Sequence, residues 1–94
     1  MGKLVITGAA GFIGSALARH FLALGKELVL FVRSKAKLPA DLSASSGITI
    51  VEGDFADEAS VVRALDGAGE VVHCAVHPDN FNREAAWRVN VEGT

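Results

Sequence analysis

Residues 3–14 read Lys3-Leu4-Val5-Ile6-Thr7-Gly8-Ala9-Ala10-Gly11-Phe12-Ile13-Gly14, an apolar run that enters three glycines spaced three apart. The run has strand composition and the residues after it have helical spacing, so the glycines mark a strand-to-helix corner. Gly8 suits the tight turn that leaves the strand, where a Cβ would clash. Gly11 lets the backbone approach a pyrophosphate, and Gly14 lets the helix pack close to the sheet. The N–H groups of the first helical turn, helped by the helix dipole, then form an anion site. The plain alternative is an ordinary corner with no ligand; the strand before and the helix after favour the phosphate cradle.

Residues 11–24 are expected as a helix. Positions 13, 16, 17, 20, 21 and 24 make an apolar or half-apolar stripe, with Ser15 and Arg19 off it, and Gly25 ends the helix. Such a rod is about 21 Å long, enough to cross a sheet face. His20 falls within the stripe and reads as a partly buried packing residue rather than a catalytic base.

Strand-like and helix-like segments alternate beyond it. Residues 27–32, 48–51 and 70–76 read as further strands, residues 37–43 as a short or irregular helix, and residues 58–65 as a helix capped by Asp57 and stopped by Gly67. A last helical segment is expected from Asn82 onward. Strands apolar on both faces and separated by helices imply a parallel sheet covered on both sides. Right-handed crossovers give the order 3-2-1-4. The fold class is therefore α/β: the first half of a Rossmann-like, doubly wound parallel sheet with flanking helices, in a single domain.

The chain has 94 residues, half of them hydrophobic, which allows one small domain with a core. Nine basic and eleven acidic residues, mixed along the chain, give a net charge of −2. That balance argues against a nucleic-acid surface and against polybasic contact with a membrane. A single cysteine excludes an internal disulfide and fits a reducing, cytoplasmic compartment. Lys3 and the apolar run imitate a secretory signal, but the glycines and Arg19-His20 interrupt it. No segment approaches the roughly 20 apolar residues that span a bilayer.

An acidic residue at the end of the second strand would bind the ribose hydroxyls of NAD. Here that place, eighteen residues after Gly14, is Val32, followed by Arg33, Ser34 and Lys35. A charge pair at about 4 Å in an effective dielectric near 20 is worth roughly 4 kcal/mol, so a carboxylate repels a 2′-phosphate and an arginine attracts it. Arg33 can pair with that phosphate and stack on adenine, which favours NADP over NAD; the alternative is a solvated Arg-Ser-Lys run. The third strand ends in Gly53-Asp54-Phe55, at the carboxyl edge where ligands of open α/β sheets sit. Asp54 could accept a hydrogen bond from the adenine amino group, or be a turn acid ahead of a helix.

With these pieces assembled, the chain resembles the extended short-chain dehydrogenase/reductase family, the NAD(P)-dependent epimerases, dehydratases and reductases. The matching stretches are TGAAGFIGS at 7–15, VEGDFADEASVVRAL at 51–65, VVHCAV at 71–76 and VNVEGT at 89–94. The FVRS ending of the second strand is most similar to the dihydroflavonol-reductase-like branch and its bacterial sugar-epimerase relatives. The resemblance implies that Gly8, Gly11 and Gly14, with the Phe12 and Ile13 N–H groups, bind the pyrophosphate. It implies that Arg33 holds the 2′-phosphate, that Asp54 and Phe55 flank adenine, and that Ala75 lines the nicotinamide ribose. Asn90 matches an asparagine on the helix after the fourth strand that orders the active site; a helix-surface or local capping role stands beside that reading.

The family's chemistry rests on a Tyr-x-x-x-Lys pair and a nearby Ser or Thr, the tyrosine exchanging a proton while hydride moves at the nicotinamide. This chain has no tyrosine. It therefore reads as the N-terminal portion of a longer protein, with no catalytic residue of its own and with the part that binds a small-molecule substrate lying elsewhere. On that reading the fourth strand would be an uncovered edge, and the chain is expected either to be marginal in stability or to pair with itself through Glu70–Val76.

Cys74 follows His73, but adjacent strand residues point to opposite faces, so they form no thiol–imidazole pair and Cys74 reads as a packing residue. His73 and His77 share parity without a third ligand, and no metal site is expected. Trp87 reads as core or interface packing on the last helix. Three readings remain: the cofactor-binding half of a reductase or epimerase, a non-catalytic dinucleotide sensor that keeps the cradle, and a Rossmann-like module without a ligand.

Overall fold

The apolar runs become strands β1 (Lys3–Thr7), β2 (Leu28–Val32), β3 (Ile48–Glu52), β4 (Ala68–His77) and β5 (Arg83–Asn90). Helices α1 (Phe12–Ala23), α2 (Ala40–Ser43) and α3 (Glu58–Leu65) lie between them, with a single 3-10 turn at Lys35–Lys37. These elements come from a computed structural model that describes residues 2–54, 56–77 and 83–90. They form one sheet in the order β3-β2-β1-β4-β5. The first four strands are parallel, with Ile6 level with Leu30 on one side and with Val72 on the other. That is the 3-2-1-4 arrangement, and it places the carboxyl ends of all four strands along one edge.

The two central strands explain why both faces must be covered. All of β2, and all of β1 except Lys3, is buried. Leu4, Ile6, Leu28, Leu30 and Val32 pack with Val72 and Cys74 against Ala18 and Phe21 of α1, and with Leu38 and Leu42. Residues of the other parity, Val5, Val29 and Phe31, are also buried. A Cβ on Gly53 would meet both Ser60 of α3 and the Phe31 ring, which puts α3 on that second face. A fully buried Leu or Ile contributes about 1.5–3 kcal/mol over its exposed state, so these central strands carry most of the fold's apolar stabilisation.

The segment expected as a final helix is not helical where described. Residues 83–90 instead pair antiparallel with β4, with His73 opposite Trp87 and Glu70 opposite Asn90. An open β4 would leave a row of backbone donors and acceptors without partners, and β5 supplies them. The local pattern does not show it, because Ala86 interrupts the alternation of Ala85, Trp87 and Val89 with Glu84, Arg88 and Asn90. Two expectations fall with the helix. Glu70–Val76 is not an edge, so it offers no route to self-association; the edges are β3 and β5. Asn90 lies on a strand, so it cannot order a site from a helix, and Trp87 is likewise on β5.

The apolar face of α1 is also rotated from the stripe read in the sequence. Its buried residues are Gly14, Ser15, Ala18 and Phe21, while Ala16 and His20 are exposed and Leu24, just past the helix, is 61% exposed. Gly14 sets this rotation. A Cβ there would overlap the Gly8 carbonyl and crowd Ala9, so the helix meets the sheet through residue 14 and the positions one turn on from it. His20 is consequently a surface residue, its ring edge-on to Phe21 at 5.2 Å between centroids. Ser15, expected off the face, is buried and donates from its hydroxyl to the Phe12 carbonyl.

Candidate functional site

The ends of four strands converge on a cleft of about 980 Å³, near the upper end of the roughly 300–1,000 Å³ usual for small-molecule sites. Gly8, Ala10 and Gly11 line it from the β1–α1 turn, Phe31 to Ser34 from the end of β2, Gly53 and Asp54 from the end of β3, and His73 and Cys74 from β4. This is the carboxyl edge at which open α/β sheets bind ligands.

The glycine turn is built for close approach. Gly8 has φ +67°, and a Cβ on it would overlap the Cys74 carbonyl. Its N–H donates to the Phe31 carbonyl, and its own carbonyl accepts the Gly11 N–H at 3.1 Å, closing the turn. Gly11 is the N-cap of α1, in extended backbone and with no side-chain cap, and the first helical turn contains no acidic residue. The positive end of the α1 dipole therefore faces the cleft without a carboxylate of its own. Phe12 stands 82% exposed at the helix start, and Ile13 is partly buried against the core.

Charge gathers at the far wall. Arg33 lines the cleft together with Ser34 and Lys37. The Lys35 N–H donates to Glu52 Oε2 at 2.7 Å, which ties the loop after β2 to the end of β3. The 3-10 turn then carries the chain on to Lys37. Sequence reading missed Lys37 because a single turn over Lys35–Lys37 leaves no periodic pattern. Arg33 is not alone: its Nη2 lies 3.4 Å from Asp54 Oδ2.

Asp54 is held in place from below. Its N–H donates to Ser60 Oγ at 3.2 Å, and its Oδ1 accepts the Ala56 N–H at 3.0 Å. The Ser60 hydroxyl, fully buried, donates to the Asp57 carbonyl at 2.8 Å, with the Asp54 carbonyl at 3.0 Å as the alternative acceptor. Asp57 occupies the N-cap position of α3 as expected, though its side chain makes no capping bond. Ser60 was not singled out by sequence; its place three residues after the cap was the available signal.

On β4, Thr7 separates the His73 and Cys74 roles. Thr7 Oγ1 lies 2.7 Å from His73 Nδ1 and accepts the Cys74 N–H at 3.2 Å, while Cys74 packs in the core cluster. The two adjacent residues thus serve opposite faces, as strand geometry requires. Ala75 lies opposite Ala85 in the β4–β5 register. Phe55 falls outside the described residues. Among the described residues no group of three His, Cys, Asp or Glu could hold a metal, and no helix is long and apolar enough to cross a membrane.

A turn with no room for a Cβ at two glycines, an uncapped helix N-terminus and a wall bearing Arg33 and Lys37 fit a dinucleotide phosphate chain. The profile of the NAD dependent epimerase/dehydratase family matches residues 4–94. The chain belongs to that family. The epimerase/dehydratase sequence here is 32% identical over 102 residues to 3-beta-hydroxysteroid dehydrogenase of Mycolicibacterium neoaurum, covering 100% of this chain and 27% of that protein. The fold matches Thermus thermophilus UDP-glucose 4-epimerase in complex with NAD, with TM-score 0.64, 28% identity, and coverage of 80% of this chain and 24% of that one. It also matches uronate dehydrogenase from Agrobacterium tumefaciens complexed with NAD, with TM-score 0.64, 33% identity, and coverage of 82% and 28%. The chain spans about a quarter of the length of the curated relatives it matches.

Proposed function

We propose that this chain is the cofactor-holding part of an NAD(P)-dependent oxidoreductase or epimerase that moves hydride between a nicotinamide and a hydroxyl or carbonyl substrate. The observation that carries the reading is the joining, in one cleft, of the Gly8–Gly11 turn with the Arg33 and Lys37 wall. The turn and the N-terminus of α1 would take the pyrophosphate. Arg33, Ser34 and Lys37 would surround the adenosine ribose, and two cations at that point favour NADP over NAD. Asp54 would accept from the adenine amino group, with Phe55 beside it, and Ala75 would line the nicotinamide ribose. A bound dinucleotide would supply hydride transfer at its nicotinamide, and this chain's residues would bind it and hold its phosphates at the cleft.

The proton relay is assigned to residues outside this chain, which has no tyrosine. The substrate is a small molecule, and the balanced surface charge supports neither nucleic acid nor a membrane as partner. A cytoplasmic location fits a sequence with a single cysteine, Cys74.

Titration of the protein with NADPH and with NADH, followed by calorimetry, tests this reading. Saturable binding of NADPH, tighter than NADH, is expected. Tighter NADH binding would overturn the NADP preference alone, and no saturable binding of either would overturn the cofactor reading.

A further inference from the structure

The cation best placed for a 2′-phosphate already has a counter-charge. Arg33 Nη2 stands 3.4 Å from Asp54 Oδ2 across the cleft wall. The two ends of this pair differ in freedom. The Arg33 side chain is 86% exposed, whereas Asp54 is tied through its N–H to the fully buried Ser60 and through Oδ1 to the Ala56 N–H. Arg33 can turn toward a ligand; the Asp54 carboxylate stays where it is.

We propose that Asp54 sets the cofactor preference of the cleft by standing as a fixed negative charge beside Arg33, and this rests on the dinucleotide reading above. A 2′-phosphate drawn to Arg33 comes near the Asp54 carboxylate and is repelled by it. A free 2′-hydroxyl brings no charge and meets no such penalty. Asp54 therefore narrows the advantage that Arg33 and Lys37 give to the phosphorylated cofactor. This role differs from an adenine contact, because adenine is common to both cofactors and cancels in the ratio of their affinities.

The test is the ratio of dissociation constants, NADH over NADPH, in the wild type and in Asp54→Asn. Asparagine removes the charge and keeps an oxygen for the Ala56 N–H. At low salt the ratio is expected to rise about three- to tenfold, the effect of one charge acting on a phosphate across several ångströms of water. At about 1 M salt, where the screening length falls to roughly 3 Å, the rise should largely vanish. Asp54→Ser, also neutral and able to accept from the loop, should give the same rise and serves if the first variant misfolds.

A ratio unchanged in the variants while the wild type binds both cofactors would overturn the proposal and leave the cofactor reading standing. A fall in both affinities by the same factor would do the same, marking Asp54 as an adenine-side or loop-holding residue only. A wild type that binds neither cofactor would overturn both together.

Discussion

Thr7 on β1 and His73 on β4 are joined through Oγ1 and Nδ1 at 2.7 Å, and the same oxygen accepts the Cys74 N–H. One hydroxyl thus ties β1 to β4 where they line the cleft. Because Oγ1 already accepts from Cys74, its own hydrogen is available to Nδ1 whenever that nitrogen is unprotonated.

Thr7→Val keeps the side-chain shape and removes both bonds. A stability loss of about 1–3 kcal/mol is expected in chemical denaturation. Thr7→Ser restores the hydroxyl and should recover the larger part of that loss.

Gly14→Ala forces a methyl group against the Gly8 carbonyl and the Ala9 Cα. Helix α1 must move off the turn, at a cost of about 1–3 kcal/mol. Dinucleotide affinity should fall at least about tenfold, since the N-terminus of α1 moves with it. Gly25→Ala is the contrasting case. Nothing lies within 4 Å of its Cβ, but φ is +80°. It should lose about 1–2 kcal/mol of stability from left-handed strain and keep its affinity.

Ser60→Ala removes the acceptor of the Asp54 N–H and the donor to the Asp57 carbonyl. Stability should fall by about 1–3 kcal/mol, because the site is fully buried. Amide hydrogen exchange of Asp54 should quicken more than that of Val29 or Leu30, which lie in the central ladder.

The Asp41 carboxylate is held below its usual range, first by its hydrogen bond from Arg19 and then by that residue's charge. With the folded value below the unfolded one, the pair stabilises above the ordinary aspartate range, and that contribution is lost as pH falls through the folded value. Both groups are exposed, so the effect is small. Asp41→Asn should flatten the stability–pH curve on its acid side, and a proton titration of the wild type by NMR should show Asp41 below its ordinary value.

Helix α3 and the first three strands were legible to within a residue or so because each is a short apolar run or a capped, amphipathic segment bounded by Gly or Asp. Strand β4 was recognised but runs longer, over Ala68–His77. The glycines and Arg33 were legible as candidates because phosphate contact favours such residue types at a strand end, and Asp54 because an acid at the same edge can accept from an adenine amino group. Lys37 and Ser60 were not, since a 3-10 turn and a buried hydroxyl leave no periodic trace.

Local sequence by itself determined the parallel α/β order and the cradle, since apolar period and glycine spacing are properties of neighbouring residues. Tertiary structure alone decided three things. The close contact of Gly14 with Gly8 chose which face of α1 is buried. The open edge of β4 drew residues 83–90 into a strand, because backbone groups on one element can be satisfied only by another. The approach of β3 to the loop after β2 set Asp54 beside Arg33, a pairing between residues twenty-one positions apart that no local pattern records.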